Sequence, residues 1–299
     1  MTSSVPTAAP RVTVVVLNWC DAPAAAACLR SLQASTYPEL SFLIVDNGSP
    51  DGSGALLQQR FPDVGFLQTG ENLGYSGGNN RGIQRAMEEG ADFVFVLNPD
   101  TIVDPGTIDS LVEAARSDDG VAAVAPTVAR MDEPTRIWYG GGAFDPMRGL
   151  GVHWNGSGHG NGDAPTASAP RDVSFCSGCA LLLRVEAIRE VGAFDESYFL
   201  YVEDAELSVR LTRAGWRLLH DPRTRVLHDV PADDMEPSPN QIRYRDRNRR
   251  RLARNHLDLL QRARFTGWFY PTRAIHLVRY LARGDLPRAG AILRGMSER

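Results

Sequence analysis

A chain of 299 residues, 43% hydrophobic and 23% charged, is long enough and apolar enough for one large α/β domain with additions. Its net charge of -4 gives no general nucleic-acid footprint, so no nucleic-acid partner is expected. Every basic residue is arginine, and without lysine a Walker-type phosphate loop and Schiff-base chemistry are excluded.

Residues 1–10, rich in Ser, Thr, Pro and Ala, read as a disordered tail without the basic start or apolar core of a signal peptide. Val12 to Leu17 is a β-branched run that predicts a buried strand ending at Asn18 and Trp19. Asp21 and Pro23 then open an alanine-rich helix to Leu32. Ser41 to Val45 predicts a second strand, which stops at Asp46-Asn47-Gly48-Ser49 and is followed by a short helix through Leu56 and Leu57. Val64 to Gln68 predicts a third, ending in a polar, glycine-rich loop from Gly70 to Asn80. Ile83 and Met87 mark the inner face of the next helix. Phe93 to Leu97, bounded by Gly90 and Pro99, reads as a strand buried on both faces, and it delivers Asn98-Pro99-Asp100. Strands alternating with helices in this way predict a mostly parallel central sheet with right-handed crossovers.

A helix from about Pro105 to Arg116 and a strand from Val121 to Ala125 continue the pattern. Residues 139–171 show neither period and read as a long mobile loop. Val173 to Phe175 and Ala180 to Leu183 return to the sheet around Cys176-Ser177-Gly178. A short helix, Val185 to Val191, precedes the aromatic stretch Phe199 to Val202 and the pair Glu203-Asp204. The helix that follows carries Leu207 and Leu211, with Glu206 and Arg210 as a surface pair, and Val226-Leu227-His228 predicts a last short strand. From there the composition turns basic, and 241–299 reads as an amphipathic helical extension suited either to an anionic membrane surface, through 265–299, or to packing on the domain or a second subunit. Cys176 and Cys179 have CxxC spacing, but Cys20 and Cys28 do not supply a second pair, so all four read as reduced thiols. No run reaches the roughly 18 apolar residues of a spanning helix, and a cytoplasmic location is expected, with peripheral membrane contact through the extension.

Four polar residues, Asn18, Asp46, Asn72 and Asp100, stand at the ends of four successive strands. In a parallel sheet those ends share one edge, where ligands gather, although each residue alone is also an ordinary turn or helix-cap residue. The glycines of the Asn72 to Asn80 segment would let backbone approach a ligand, and Asn79 and Asn80 offer amides. Asp100 reads as a ligand for a hard divalent cation, Mg²⁺ or Mn²⁺, completed by a diphosphate, or else as a turn cap. Glu203-Asp204 reads as a general base with a neighbouring carboxylate raising its pKa, or as acidic residues complementing a helix dipole. His228 reads as a second metal or diphosphate ligand, or as structural.

The runs Val45 to Ser49, Asn72 to Asn80, Asn98-Pro99-Asp100 and Tyr201 to Asp204 resemble, in this order, the motifs of inverting family 2 glycosyltransferases. The chain is most similar to the rhamnosyltransferase-like branch, over about residues 11 to 260. The resemblance implies a single GT-A domain, 11–240, that moves a sugar from a nucleoside-diphosphate donor, dTDP-rhamnose or a UDP-sugar, to a glycan, lipid-linked or small-molecule acceptor. Asp46 would match the carboxylate on the base, with Asn18, Asn72, Gly74, Gly77, Asn79 and Asn80 around nucleoside and sugar. Asp100 would match the last residue of the DxD motif, and Asn98 departs from its first acidic position, which implies weaker metal binding. Asp204 would match the catalytic base, with Glu203 shaping the acceptor side, and His228 and Arg247 would face metal or diphosphate. A sugar nucleotidylyltransferase would need a basic glycine-rich loop where Asn18-Trp19-Cys20 stands. A carbohydrate-binding relative without turnover would not need the carboxylates that stand here at Asp46, Asp100, Glu203 and Asp204.

Overall fold

The computed structural model describes residues 8–154, 168–230 and 236–298. In chain order the elements are Val12–Asn18 (β1), Ala22–Leu32 (α1), Leu40–Asp46 (β2), Ser53–Arg60 (α2), Gly65–Gln68 (β3), Gly74–Glu88 (α3), Phe93–Leu97 (β4) and Thr101–Val103 (β5). Then come Thr107–Arg116 (α4), Val121–Arg130 (β6), Ile137–Tyr139 (β7), Gly142–Asp145 (β8), Leu150–His153 (β9), Arg171–Val173 (β10), Ala180–Arg184 (β11) and Val185–Val191 (α5). A 3-10 turn at Glu196–Tyr198 precedes Glu203–Arg213 (α6), Arg217–His228 (β12), Pro239–His256 (α7), Leu259–Ala282 (α8) and Leu286–Ser297 (α9).

One sheet organises the domain, with strand order β10-β12-β6-β11-β4-β1-β2-β3. The half built from β4, β1, β2 and β3 is parallel throughout, as alternating strands and helices require. β11 then runs antiparallel between β4 and β6, while β6 and β12 are again parallel to each other. β1 and β4 are buried along their whole length because helices cover both faces. β6 extends well beyond Ala125, through Pro126, which pairs with Asp221 where the register shifts. At such an irregularity a missing N–H costs little. β12 is likewise a long strand rather than a short one, and its last residues pair with β5.

Two sequence expectations fail for a common reason, that glycine was read as mobility. Gly74, Gly77, Gly78, Asn79 and Asn80 are not a loop but the first turns of α3. Glycine is needed there for close approach. A Cβ on Gly78 would stand 2.5 Å from Leu17 Cδ1, and one on Gly82 would stand 2.4 Å from Val15 Cγ1 and 3.0 Å from Val45 Cγ2. Similarly, 139–154 is not a mobile loop: it holds the hairpin β8–β9, whose Gly142 and Gly151 lie against the ring of Phe175. The remainder of that expected loop, 155–167, lies outside the described residues, as do residues 1–7 of the expected tail. Residues 8–10 are tied down, with the Tyr37 hydroxyl donating to the Pro10 carbonyl at 2.7 Å.

Gly82→Ala is expected to lower stability by about 1–2 kcal/mol, since over-packing of about 1–3 kcal/mol outweighs a helix-propensity gain of about 1 kcal/mol. Chemical denaturation checks this through a lower midpoint at unchanged slope.

The C-terminal helices pack on the domain. Leu252, Leu257, Phe265 and Phe269 join the main core, and Ile242, Tyr280, Ala289 and Ile292 form a small second one. No helix among the described residues is long and apolar enough to cross a membrane.

Candidate active site

β4 ends at Leu97, and the next three residues turn the chain so that β5 can pair antiparallel with the end of β12. That pairing sets Thr101 opposite His228, and the Asp229 N–H donates to the Asp100 carbonyl at 3.0 Å. The Asp100 carboxylate therefore meets His228 across the sheet, with Oδ1 3.2 Å from Nε2. Burial works against a charged His228, yet Cys179 and the Asp100 carboxylate outweigh it and the imidazole is raised to about 10. His228 Nδ1 is buried without a hydrogen-bond partner, and the imidazole's Nε2 is the polar contact of the buried Asp100 Oδ1.

The Asp100 carboxylate is a donor that Mg²⁺ or Mn²⁺ accepts, whereas the imidazole could join it only by giving up its proton. Among the described residues no group of three or more His, Cys, Asp or Glu side chains could enclose a metal. Asp100 and His228 could therefore supply only part of a coordination sphere, and a bound cation would need phosphate oxygens of a ligand for the rest.

The carboxylates of Glu203 and Asp204 are presented by a strained loop. Phe199, Tyr201 and Val202 have φ of 61°, 69° and 74°, in the left-handed region that costs a non-glycine residue about 1–3 kcal/mol. The loop is held there by Asn248 of α7. This fully buried side chain donates to the carbonyls of Tyr198, Leu200 and Tyr201 at 2.8, 2.8 and 2.7 Å. On the other side the Tyr75 N–H donates to the Phe199 carbonyl at 2.6 Å, and a Cβ on Gly74 would collide with that carbonyl at 2.3 Å. Gly74 therefore serves the loop rather than a ligand.

Asp204 Oδ2 accepts the Gly178 N–H at 3.0 Å and Oδ1 the Ala205 N–H at 2.8 Å. Glu203 is 6% exposed, and its Oε2 has no partner. Burial raises both carboxyls, and the charge of Asp204 raises Glu203 further, whereas two backbone donors hold Asp204 back. Of the two, Glu203 is pushed further toward its protonated form, a difference set by environment.

Asp204 and Glu203 line a cavity of about 490 Å³ together with Asn98, Cys179 and His228. Tyr75, Gln241 and Arg245 complete its polar wall, and Trp138, His153 and Phe175 its aromatic one. One space thus joins the base side to the Asp100–His228 side. Cys176 and Cys179, free thiols in the structure, flank the turn that carries the Gly178 N–H to Asp204.

The other expected site residues lie elsewhere. Asn18 and Asp46 come together, Nδ2 donating to Oδ1 at 2.7 Å, but both are fully buried. Asp46 also accepts from Ser49 Oγ and Gln68 Nε2, each at 2.7 Å, so it braces the turn at the strand ends. Asn72 is at the surface, where its Oδ1 accepts the Gly74 N–H at 2.8 Å. Asn79 bonds the Tyr75 carbonyl inside its own helix, and Asn80 is paired with the backbone of Phe194. Gly77 packs on Leu73. Arg247 points away from the cavity, to the carbonyls of Ser197 and Tyr198 at 3.1 and 2.9 Å. Its neighbour Arg245 is the one that faces the site, because residues two apart on a helix point to different sides. Nor is Glu206–Arg210 a surface pair: Glu206 is 2% exposed and holds Arg210 over the carbonyls that end α5.

Residues 12–192 match the model of glycosyl transferase family 2. Over 232 residues the chain is 35% identical to an N-acetylglucosaminyl-diphospho-decaprenol L-rhamnosyltransferase of Mycobacterium tuberculosis, covering 72% of this chain and 75% of the relative. Among solved structures it is similar to a mannosyltransferase of Pyrobaculum calidifontis in complex with GDP-Man and Mn²⁺, with TM-score 0.58, 19% identity, and 97% of this chain and 80% of that one covered. It also resembles GalNAc-T7 with UDP, GalNAc and Mn²⁺, with TM-score 0.59 and 17% identity, over 77% of this chain and 45% of that one. These likenesses bear out the expected GT-A fold, and the family match and the 35% identity to a rhamnosyltransferase bear out the activity class over a nucleotidylyltransferase: the chain is a glycosyltransferase, and it belongs to family 2.

Proposed function

We infer that this chain transfers rhamnose from a nucleoside-diphosphate donor to the hydroxyl of a lipid-linked saccharide, with inversion. The observation that carries the reading is the single cavity in which Asp204 faces His228 and Asn98, with Asp100 3.2 Å from His228. The 35% identity to an enzyme named for a decaprenol-linked acceptor supports the choice of sugar and acceptor.

Asp204 takes the proton of the acceptor hydroxyl, and the oxygen attacks the anomeric carbon from the face opposite the diphosphate. As the new C–O bond forms, the bond to the diphosphate breaks and its electron pair leaves with the phosphate oxygen. Asp100 and His228 would hold a divalent cation, which when bound supplies positive charge against the departing diphosphate. Arg245, in the same wall, offers a guanidinium to an anion. The nucleoside is assigned to the β1–β2–β3 strand ends, where the braced Asn18–Asp46 turn stands beside the exposed Trp19. Tyr75, whose hydroxyl donates to the Gly178 carbonyl at 2.6 Å, stiffens the turn against Asp204.

Nucleotide release from a panel of nucleotide sugars, with Mn²⁺ or with chelator, tests this reading. dTDP-rhamnose is expected to turn over best, and chelator to suppress it. Asp100→Ala is expected to lower the rate at least about tenfold and to remove the response to added metal. Turnover confined to another donor, or a metal response that survives Asp100→Ala, would refute the sugar or the metal assignment respectively.

A further inference from the structure

A second cavity, of about 570 Å³, lies between β9, α7, α8 and α9, and the mechanism does not use it. Five arginines, Arg148, Arg245, Arg249, Arg273 and Arg279, line it against two carboxylates, Asp246 and Glu236. Glu236 is already paired with Arg283 at 2.6 Å, and Asp246 is shared by Arg273 at 3.1 Å and Arg249 at 3.6 Å. Arginines outnumber carboxylates around the cavity; Arg148, Arg245 and Arg279 are exposed at its rim, Arg148 beside Asp145 at 3.5 Å, and Arg249 is buried at its base. Arg249 is 3% exposed, its Nη2 has no hydrogen-bond partner, and Arg273 Nε has none either. Burial, joined by the neighbouring arginines, pulls the Arg249 guanidinium down to about 9 in spite of Asp246, which it shares with Arg273. The guanidiniums of Arg148 and Arg249 sit 5.9 and 5.2 Å from the Trp268 ring, which keeps them oriented.

Two further features say what kind of anion fits. Arg245 and Leu150 line both this cavity and the one that holds Asp204, so a group bound here is one wall away from the base. The outward face of α8 beside the cavity is apolar and exposed, with Ile275 at 67% and Val278 at 66%, and Ile275 is one turn from Arg279.

We propose that this cavity is a second anion site, separate from the donor's, which takes the phosphate or diphosphate of a lipid-linked acceptor while its chain leaves along the apolar face of α8. The site orients the acceptor, with the sugar beyond the phosphate pointing past Arg245 toward Asp204. The identity of the ligand rests on the lipid-linked acceptor proposed above, whereas the anion site itself rests on the arginines.

Calorimetric titration with farnesyl diphosphate, pyrophosphate and farnesol, each with and without saturating dTDP and Mg²⁺, tests it on the full chain. Farnesyl diphosphate is expected to bind whether or not dTDP is present, and at least about tenfold more tightly than pyrophosphate, with farnesol not binding. Arg279→Gln should weaken it about tenfold and Arg273→Gln with Arg279→Gln further, at unchanged dTDP affinity. Among the described residues the exposed Arg279 side chain makes no hydrogen bond or ion pair, so that single variant stands even if the double variant misfolds. Binding that dTDP abolishes, or that both variants leave intact, would overturn the site. Pyrophosphate matching farnesyl diphosphate would show a free-anion pocket and overturn the lipid assignment. Failure of dTDP-rhamnose turnover with these affinities intact would remove the proposed sugar and leave the anion site standing.

Discussion

Asp204→Asn is expected to lower transfer about 10²- to 10⁴-fold, the range a positioned general base contributes, at unchanged donor affinity. The amide keeps the shape and still accepts the Gly178 N–H through its oxygen, but it cannot take a proton. Its partner gives the test a second readout. Burial raises both carboxyls, so the base is ionised only above the range of an exposed aspartate, and the parent rate should climb with pH through that raised range. Asp204→Asn should lose the climb. Glu203→Gln, which replaces a neutral carboxyl with a neutral amide, should retain most activity and leave the climb at the same pH. For stability the sign follows from the same shifts: a carboxyl raised on folding favours the folded state below its unfolded pKa and loses that contribution as pH rises through the folded value. Glu203→Gln is therefore expected to be more stable than the parent only toward neutral and alkaline pH. A pH–rate profile of the three proteins, with melting at two pH values, decides. An Asp204→Asn enzyme with near-parent kcat would refute the base.

Asn248→Ala is expected to cost about 2–4 kcal/mol of stability and about a hundredfold in kcat, although Asn248 touches no substrate position. The alanine leaves the buried carbonyls of Tyr198, Leu200 and Tyr201 without their donor, and the left-handed turn at Phe199, Tyr201 and Val202 without its restraint. Released, the turn relaxes toward ordinary backbone and moves Glu203 and Asp204, which follow it directly. Asn248→Asp is the informative control. It has the size of asparagine but cannot donate, so it should be as harmful as alanine; a merely space-filling role would let it pass. Donor affinity should stay within about threefold of the parent in both, because the loop does not reach the β1–β2 strand ends. Denaturant melting together with kcat and KM for the donor reads these effects apart.

The parallel half of the sheet and the identity of the acidic residues were legible because both are local signals. A run such as Phe93–Leu97 has no polar face to expose, and a carboxylate at its end has nowhere to go but the sheet edge. Asp100, Asp204 and His228 could be named from such signals and from the family motifs. Three things were not legible, each for a reason of distance. Glycine was read as freedom in α3 and in β8–β9, yet there it permits contact with Leu17, Val15 and Phe175, neighbours that only the fold supplies. The full burial of Asp46 and two of its donors, Asn18 and Gln68, come from other stretches of chain. Arg245 and Arg247 are equivalent in a run of arginines, and the helix period alone decides that the first faces the cavity and the second a loop.

The sequence alone thus determined which groups can do chemistry and on which edge of the sheet most of them start: a buried parallel strand leaves a carboxylate only that place, and chain order requires nothing more. Only the tertiary structure decided which of these groups meet. The antiparallel pairing of β5 with β12 sets Asp100 against His228, and α7 clamps the strained turn that aims Asp204 into the same cavity. Both depend on contacts between residues far apart in the chain, whose energies no local pattern carries.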